Sequence, residues 1–194
     1  ETKFYSDIRQ INEIGVVKTL ENIEAATLSD NFWNVAVVQD LAYTSTINPT
    51  YLVYLAAQVA NNDMSLLSNN ISVRYLIELA GDVHHIFPKE YLKSNGYDKN
   101  LYNQDANYAY LDTQVNKSIG KKAPCEYFAE ALTQCDTKVI TCGSITDSEQ
   151  LKKNLEANCV PFEVCNMNHN DYPAFLEARR KLMAQKIKDY YYGL

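Results

Sequence analysis

Two histidines, His84 and His85, stand side by side in the run Asp82-Val83-His84-His85-Ile86-Phe87-Pro88. One imidazole can hold a divalent cation while its neighbour, neutral near pH 7, takes a proton from water. Adjacent residues on a strand point to opposite faces, so the two rings can serve one site only where the strand ends or bends. Pro88, three residues on, supplies such a stop. Taken alone, the pair fits equally well one packed and one exposed histidine. His169, the third histidine of the chain, stands by itself and reads as a surface or capping residue.

The elements that must position this pair can be read from the periodicity. Gly81 breaks the apolar run Ile71 to Leu79, which fits either helix or strand, and Asp82 to Phe87 then alternates as a short strand. Lys89 to Ser94 reads as one or two helical turns ending at Asn95-Gly96. Tyr108 to Leu111 alternates as a second strand, and Thr113 is a candidate N-cap for a helix reaching Ile119 and closed by Gly120. Strand, excursion, strand, helix is the order that a ββα-metal unit requires.

Helices flank this unit on both sides. Phe4, Ile8 and Ile11, then Val16, Val17, Leu20 and Ile23, recur at helical spacing, and Ser29-Asp30-Asn31 precedes another helical stretch from Phe32. Tyr51 to Ala60 is apolar almost all round and is expected to be buried. Beyond the motif, Pro124 opens a helix over Glu126 to Leu132 and Ser148 to Leu155 forms another. Asp171 to Tyr192 forms a long amphipathic helix, with Phe175, Leu176, Leu182, Met183 and Ile187 inward and Arg179, Arg180, Lys181, Lys186 and Lys188 on its other side. The expected organisation is a helical scaffold over 1–70, a ββα core over 71–132 and a C-terminal helical region over 133–194, joined in one compact α+β domain.

Three segments in register carry a resemblance to a known family. Asp82 to Pro88, Asn107-Tyr108-Ala109-Tyr110-Leu111-Asp112 and Asn116 to Tyr127 resemble the C-terminal HNH-like (His-Me finger) domain of GmrSD-type modification-dependent restriction endonucleases. Those proteins carry an H-x-x-P core, matched here by His85-Ile86-Phe87-Pro88, and the order of residues is also similar to the HNH domain of RNA-guided CRISPR nucleases. The resemblance spans Asp82 to Phe128, about a quarter of the chain.

It implies a metal-dependent DNA endonuclease. His85 would be the general base, and His84 and Asn116 the metal ligands. Asn107 would be the structural middle asparagine, and Asp82 a residue holding a histidine tautomer. Lys117, Lys121 and Lys122 are phosphate-contact candidates, with Lys89 behind them. An amide oxygen suits Mg²⁺, whereas an imidazole also admits Mn²⁺, Ni²⁺ or Zn²⁺. The family further implies a partner: an N-terminal, ParB-like, nucleotide-dependent domain, of which no motif is visible between Glu1 and Ala80. The lack of an initiator Met agrees with a piece of a longer protein. The alternative is a DNA-binding module with an inactive nuclease fold.

Composition limits the other classes. A net charge of −6 argues against a protein that coats nucleic acid non-specifically, since such binding draws on phosphate neutralisation. No apolar run approaches the roughly 20 residues of a membrane span, and five widely spaced cysteines read as the reduced thiols of a cytoplasmic protein. Cys165 and His169 have helical ligand spacing but no second pair to complete a zinc site.

Overall fold

A computed structural model describes residues 2–43, 47–81 and 83–194. It is mostly helical, with one two-stranded antiparallel sheet among the described residues, an α+β arrangement. Asp82 lies outside the described residues.

The chain opens with α1 (Thr2–Ile14) and α2 (Val16–Thr27), separated at Gly15, whose φ of +84° needs a glycine. The helical periodicity of this stretch holds, but its apolar stripe is not covered: α1 has no buried residue, and Thr19 is the sole buried residue of α2. Ser29 Oγ accepts from the amide of Phe32, where a π-helical turn (Phe32–Ala36) begins and runs into α3 (Val37–Asp40). Asn48 caps α4 (Pro49–Ala60) by accepting from Thr50 N, with Pro49 in the first turn. This helix is not buried all round as its composition suggests. Tyr51, Tyr54, Leu55, Ala57 and Gln58 face inward, while Leu52 and Val53 are exposed. Ser72 caps α5 (Val73–Glu78), which resolves the ambiguous run before Gly81 as a helix.

The sheet comprises β1 (Val83–His85) and β2 (Tyr108–Tyr110), in a register that sets His84 opposite Ala109 and His85 opposite Tyr108. Between the strands lie α6 (Lys89–Ser94), starting directly after Pro88, and α7 (Lys99–Tyr102), capped by the Asp98 carboxylate. Next comes α8 (Thr113–Ile119). Its cap is Asp112 rather than Thr113, accepting from the amides of Gln114 and Val115, and Gly120 closes it at φ +57°.

The remaining helices are α9 (Pro124–Thr137), α10 (Ser148–Ala157) and α11 (Tyr172–Tyr192). Burial along α11 follows the helical period through Tyr172, Phe175, Leu176, Arg179, Met183 and Ile187. Leu182, expected inside, is exposed, and Arg179, expected on the solvated side, is completely buried. Phe87, at the end of the turn after β1, packs between Tyr172 and Phe175 with ring centroids 5.0 and 4.8 Å away, so the last helix forms the floor beneath the sheet.

Candidate active site around His84, His85 and Asn116

The alternation of β1 sends its two histidines in different directions. His84, 3% exposed, turns towards α8, where its Nδ1–H donates to Asn116 Oδ1 at 2.7 Å; the ring of Tyr127 on α9 lies edge-on at 6.2 Å. His85 turns towards the end of α7. Its Nε2–H donates to Asn103 Oδ1 at 2.9 Å, and its ring stands perpendicular to Tyr108 at 4.9 Å and beside Tyr102 at 6.3 Å. An amide oxygen only accepts, so the ring nitrogen facing it carries the proton. His85 is left with a lone pair on Nδ1, and His84 with one on Nε2, a buried atom without a hydrogen-bond partner among the described residues.

Both rings are held neutral. Burial lowers the His84 pKa to about 4, against the opposing effect of its bond to Asn116, and the charges of His85 and Arg179 push the same way as burial. Burial also lowers the pKa of His85, with the Asn103 bond raising it and Lys89 lowering it further.

Asn107 is fully buried, and every part of it is engaged. Its Oδ1 accepts from Phe87 N at 2.9 Å, and its Nδ2 donates to Phe87 O at 3.1 Å and Tyr102 O at 3.0 Å. Its own carbonyl accepts from Ile86 N at 2.8 Å. One side chain therefore fastens the turn after His85 to the residue before Asn103. Tyr127 Oη adds a donor to Ile86 O at 2.8 Å.

His84 and Asn116 are thus brought together, and Asn107 is bonded to the turn that follows His85, whereas His85 finds a partner that the sequence reading missed. Asn103 lies in a polar stretch without periodicity, and its one local signal is its place just after the helix that Asp98 caps. Of the nominated lysines, Lys117 and Lys121 are exposed, while Lys122 is engaged with the Glu130 carboxylate at 2.7 Å. Lys89 lies over the Tyr102 ring at 5.8 Å. The basic side of α11 is largely spoken for: Lys181 pairs with Glu177, Lys186 with Asp63, and Arg180 donates to Gln104.

A divalent ion fits this donor set in part. Two neighbouring ligands about 2.1 Å from an octahedral ion stand about 3.0 Å apart, and His84 Nδ1 and Asn116 Oδ1 are 2.7 Å apart. Nδ1 carries the proton of that hydrogen bond, so it can ligate only in the other tautomer, with the proton on Nε2. An imidazole nitrogen and an amide oxygen leave most of the coordination shell to water and phosphate. No group of three His, Cys, Asp or Glu side chains suited to a metal occurs among the described residues, Cys165 and His169 included.

Comparisons with known proteins leave the family open. No family model matches the chain, and no solved structure matches it. The chain is similar to an uncharacterized protein of Methanocaldococcus jannaschii, 25% identical over 114 residues, covering 54% of this chain and 20% of that protein. It spans about a fifth of the length of the curated relative it matches. No helix among the described residues is long and apolar enough to cross a membrane.

Proposed function

We propose that this chain is the cutting part of a metal-dependent DNA endonuclease of the HNH (His-Me finger) type, with β1, β2 and α8 as its ββα-metal unit. The observation that carries this reading is the contact between His84 on β1 and Asn116 on α8, made where Asn107 clamps the turn that follows His85.

In this reading His85 is the general base. Asn103 fixes its Nε2 proton, so Nδ1 takes the proton from the attacking water, and burial keeps the ring neutral for that task. His84 and Asn116 would hold the divalent ion, Mg²⁺ first, with Mn²⁺, Ni²⁺ or Zn²⁺ as alternatives, the His84 proton moving from Nδ1 to Nε2 as the ion replaces the hydrogen bond between them. Once bound, the ion would stabilise the charge that develops on the phosphate and on the departing 3′ oxygen. Asn107 positions without touching substrate. Lys117, Lys121 and Lys89, which have no carboxylate partner among the described residues, are the cations offered to the DNA backbone. Lys122 can join them only by leaving Glu130.

Recognition of modified DNA and any nucleotide hydrolysis would belong to a ParB-like domain of the full-length protein, in a restriction or antiviral defence role. Plasmid nicking with Mg²⁺ or Mn²⁺ tests the core of this proposal. Nicking should stop with chelator and fall by about 10²–10⁴-fold in His85→Ala. DNA retention without cutting under any of the four ions would favour the inactive-nuclease alternative. Cutting undiminished in His85→Ala would overturn the assignment of the base.

A further inference from the structure

Arg179 of α11 is 0% exposed, although a guanidinium stays charged at any physiological pH. Withdrawing such a group from water is costly unless its donors are met, and burial against a carboxylate is the common solution. Here no carboxylate lies within ion-pair distance among the described residues. Three backbone carbonyls take its place in part: Nη1 donates to Ala106 O at 2.9 Å and Tyr108 O at 2.7 Å, and Nη2 donates to Asn158 O at 3.2 Å, while Nε has no partner among the described residues. The first two belong to the residues on either side of Asn107. The guanidinium therefore grips the main chain of Asn107 from α11, while the Asn107 amide grips Phe87 and Tyr102 on its other side. Phe87 lies two residues beyond His85, and Tyr102 directly precedes Asn103, the partner of His85.

We propose that Arg179 is a positioning residue of the candidate active site: its buried guanidinium fixes the backbone on both sides of Asn107 and, through that amide, the geometry of His85 and Asn103. Its activity arm rests on the nuclease reading, whereas its structural arm does not. Nothing about the role requires contact with DNA or metal. A cation is needed because carbonyls bind a charged donor more strongly than a neutral one.

The test uses the whole chain as Arg179→Lys, Arg179→Met and Arg179→Ala, each checked for folding by circular dichroism and thermal melting. Imidazole carbon–proton NMR signals of His84 and His85 report the geometry, and plasmid nicking with Mg²⁺ reports kcat and KM separately. The expected order of kcat is Arg, then Lys, then Met, falling by about 10-fold or more from Arg to Met with KM for DNA changed less than about 3-fold. The His85 signals should move in step. Guanidinium at about 20 mM, far below denaturing concentrations, should restore kcat and the His85 signals of Arg179→Ala several-fold, and urea at the same concentration should not.

Folded Met and Ala variants with wild-type His85 signals and kcat would overturn the proposal, as would equal rescue by urea. If the Met and Ala variants do not fold, Arg179→Lys carries the test. A folded Lys variant must show displaced His85 signals and lowered kcat, and wild-type values there would overturn it. A wild-type chain that cuts no DNA would defeat the nuclease reading, while the NMR arm would still decide the positioning role.

Discussion

The two N-terminal helices and the frame around Asn107 invert each other. In α1 and α2 apolar side chains lie in the open: Phe4 is 72% exposed and Val17 likewise. Around Asn107 the polar side chains are hidden, and Asp105, Asn107 and Arg179 are each fully buried. Buried polar groups are costly unless satisfied. Here Asn107 is fully bonded, while Asp105 Oδ1 and Arg179 Nε have no partner among the described residues. A chain that carries this cost at one place specifies a single geometry there rather than mere compactness. The N-terminal helices show the opposite pattern, with local helix formation and exposed pairs such as Arg9–Glu13 that add little.

The sharpest way to break this contrast is Asn107→Ala. It leaves Phe87 N, Phe87 O and Tyr102 O without partners and should cost about 3–5 kcal/mol in urea unfolding. A loss under about 1 kcal/mol would mean that the frame is not where stability resides.

Titration gives the next largest effect. Burial raises the Asp105 pKa to about 6, against the Asn48 bond that lowers it, so the folded state holds this proton more tightly than the unfolded state. Asp105 therefore lowers stability as pH rises from about 4 to about 6. His84, depressed to about 4, acts with the opposite sign: its contribution is full above about 6.5 and is lost as pH falls towards 4. In metal-free protein the two slopes offset. Asp105→Asn should stabilise by about 1–3 kcal/mol at pH 7, a gain that vanishes near pH 4, and should uncover the rising slope due to His84. Denaturant midpoints across that range check this, and a gain independent of pH would contradict it.

The smallest effect belongs to the N-terminal helices. Phe4→Ser with Ile8→Ser should change the unfolding free energy by no more than about 0.5 kcal/mol. A loss of several kcal/mol would show that this face is covered in solution.

The same contrast separates what the sequence discloses from what it withholds. Lys89–Ser94, Thr113–Ile119 and Tyr172–Tyr192 are legible because Pro, Asp and Gly punctuate them and a helical period runs between. The meeting of His84 with Asn116 follows from the order of strand, strand and helix. Asn103 is not legible, because a residue at the end of a four-residue helix carries no periodic signal. Nor is the burial of Arg179. In Arg179-Arg180-Lys181 three cations in a row read as solvated, and only the carbonyls of distant residues reveal that one of them turns inward. Periodicity likewise shows that α1 has an apolar face without showing whether anything covers it.

The grip of Arg179 on Ala106 and Tyr108 also has a meaning in time. These contacts span 73 and 71 residues of chain, so on a growing polypeptide the main chain around Asn107 waits for its last donor until α11 has been synthesised. Contacts of such long sequence separation form late and slowly. Histidines whose surroundings are tied down by a helix so far along the chain are not fully placed until that helix has emerged.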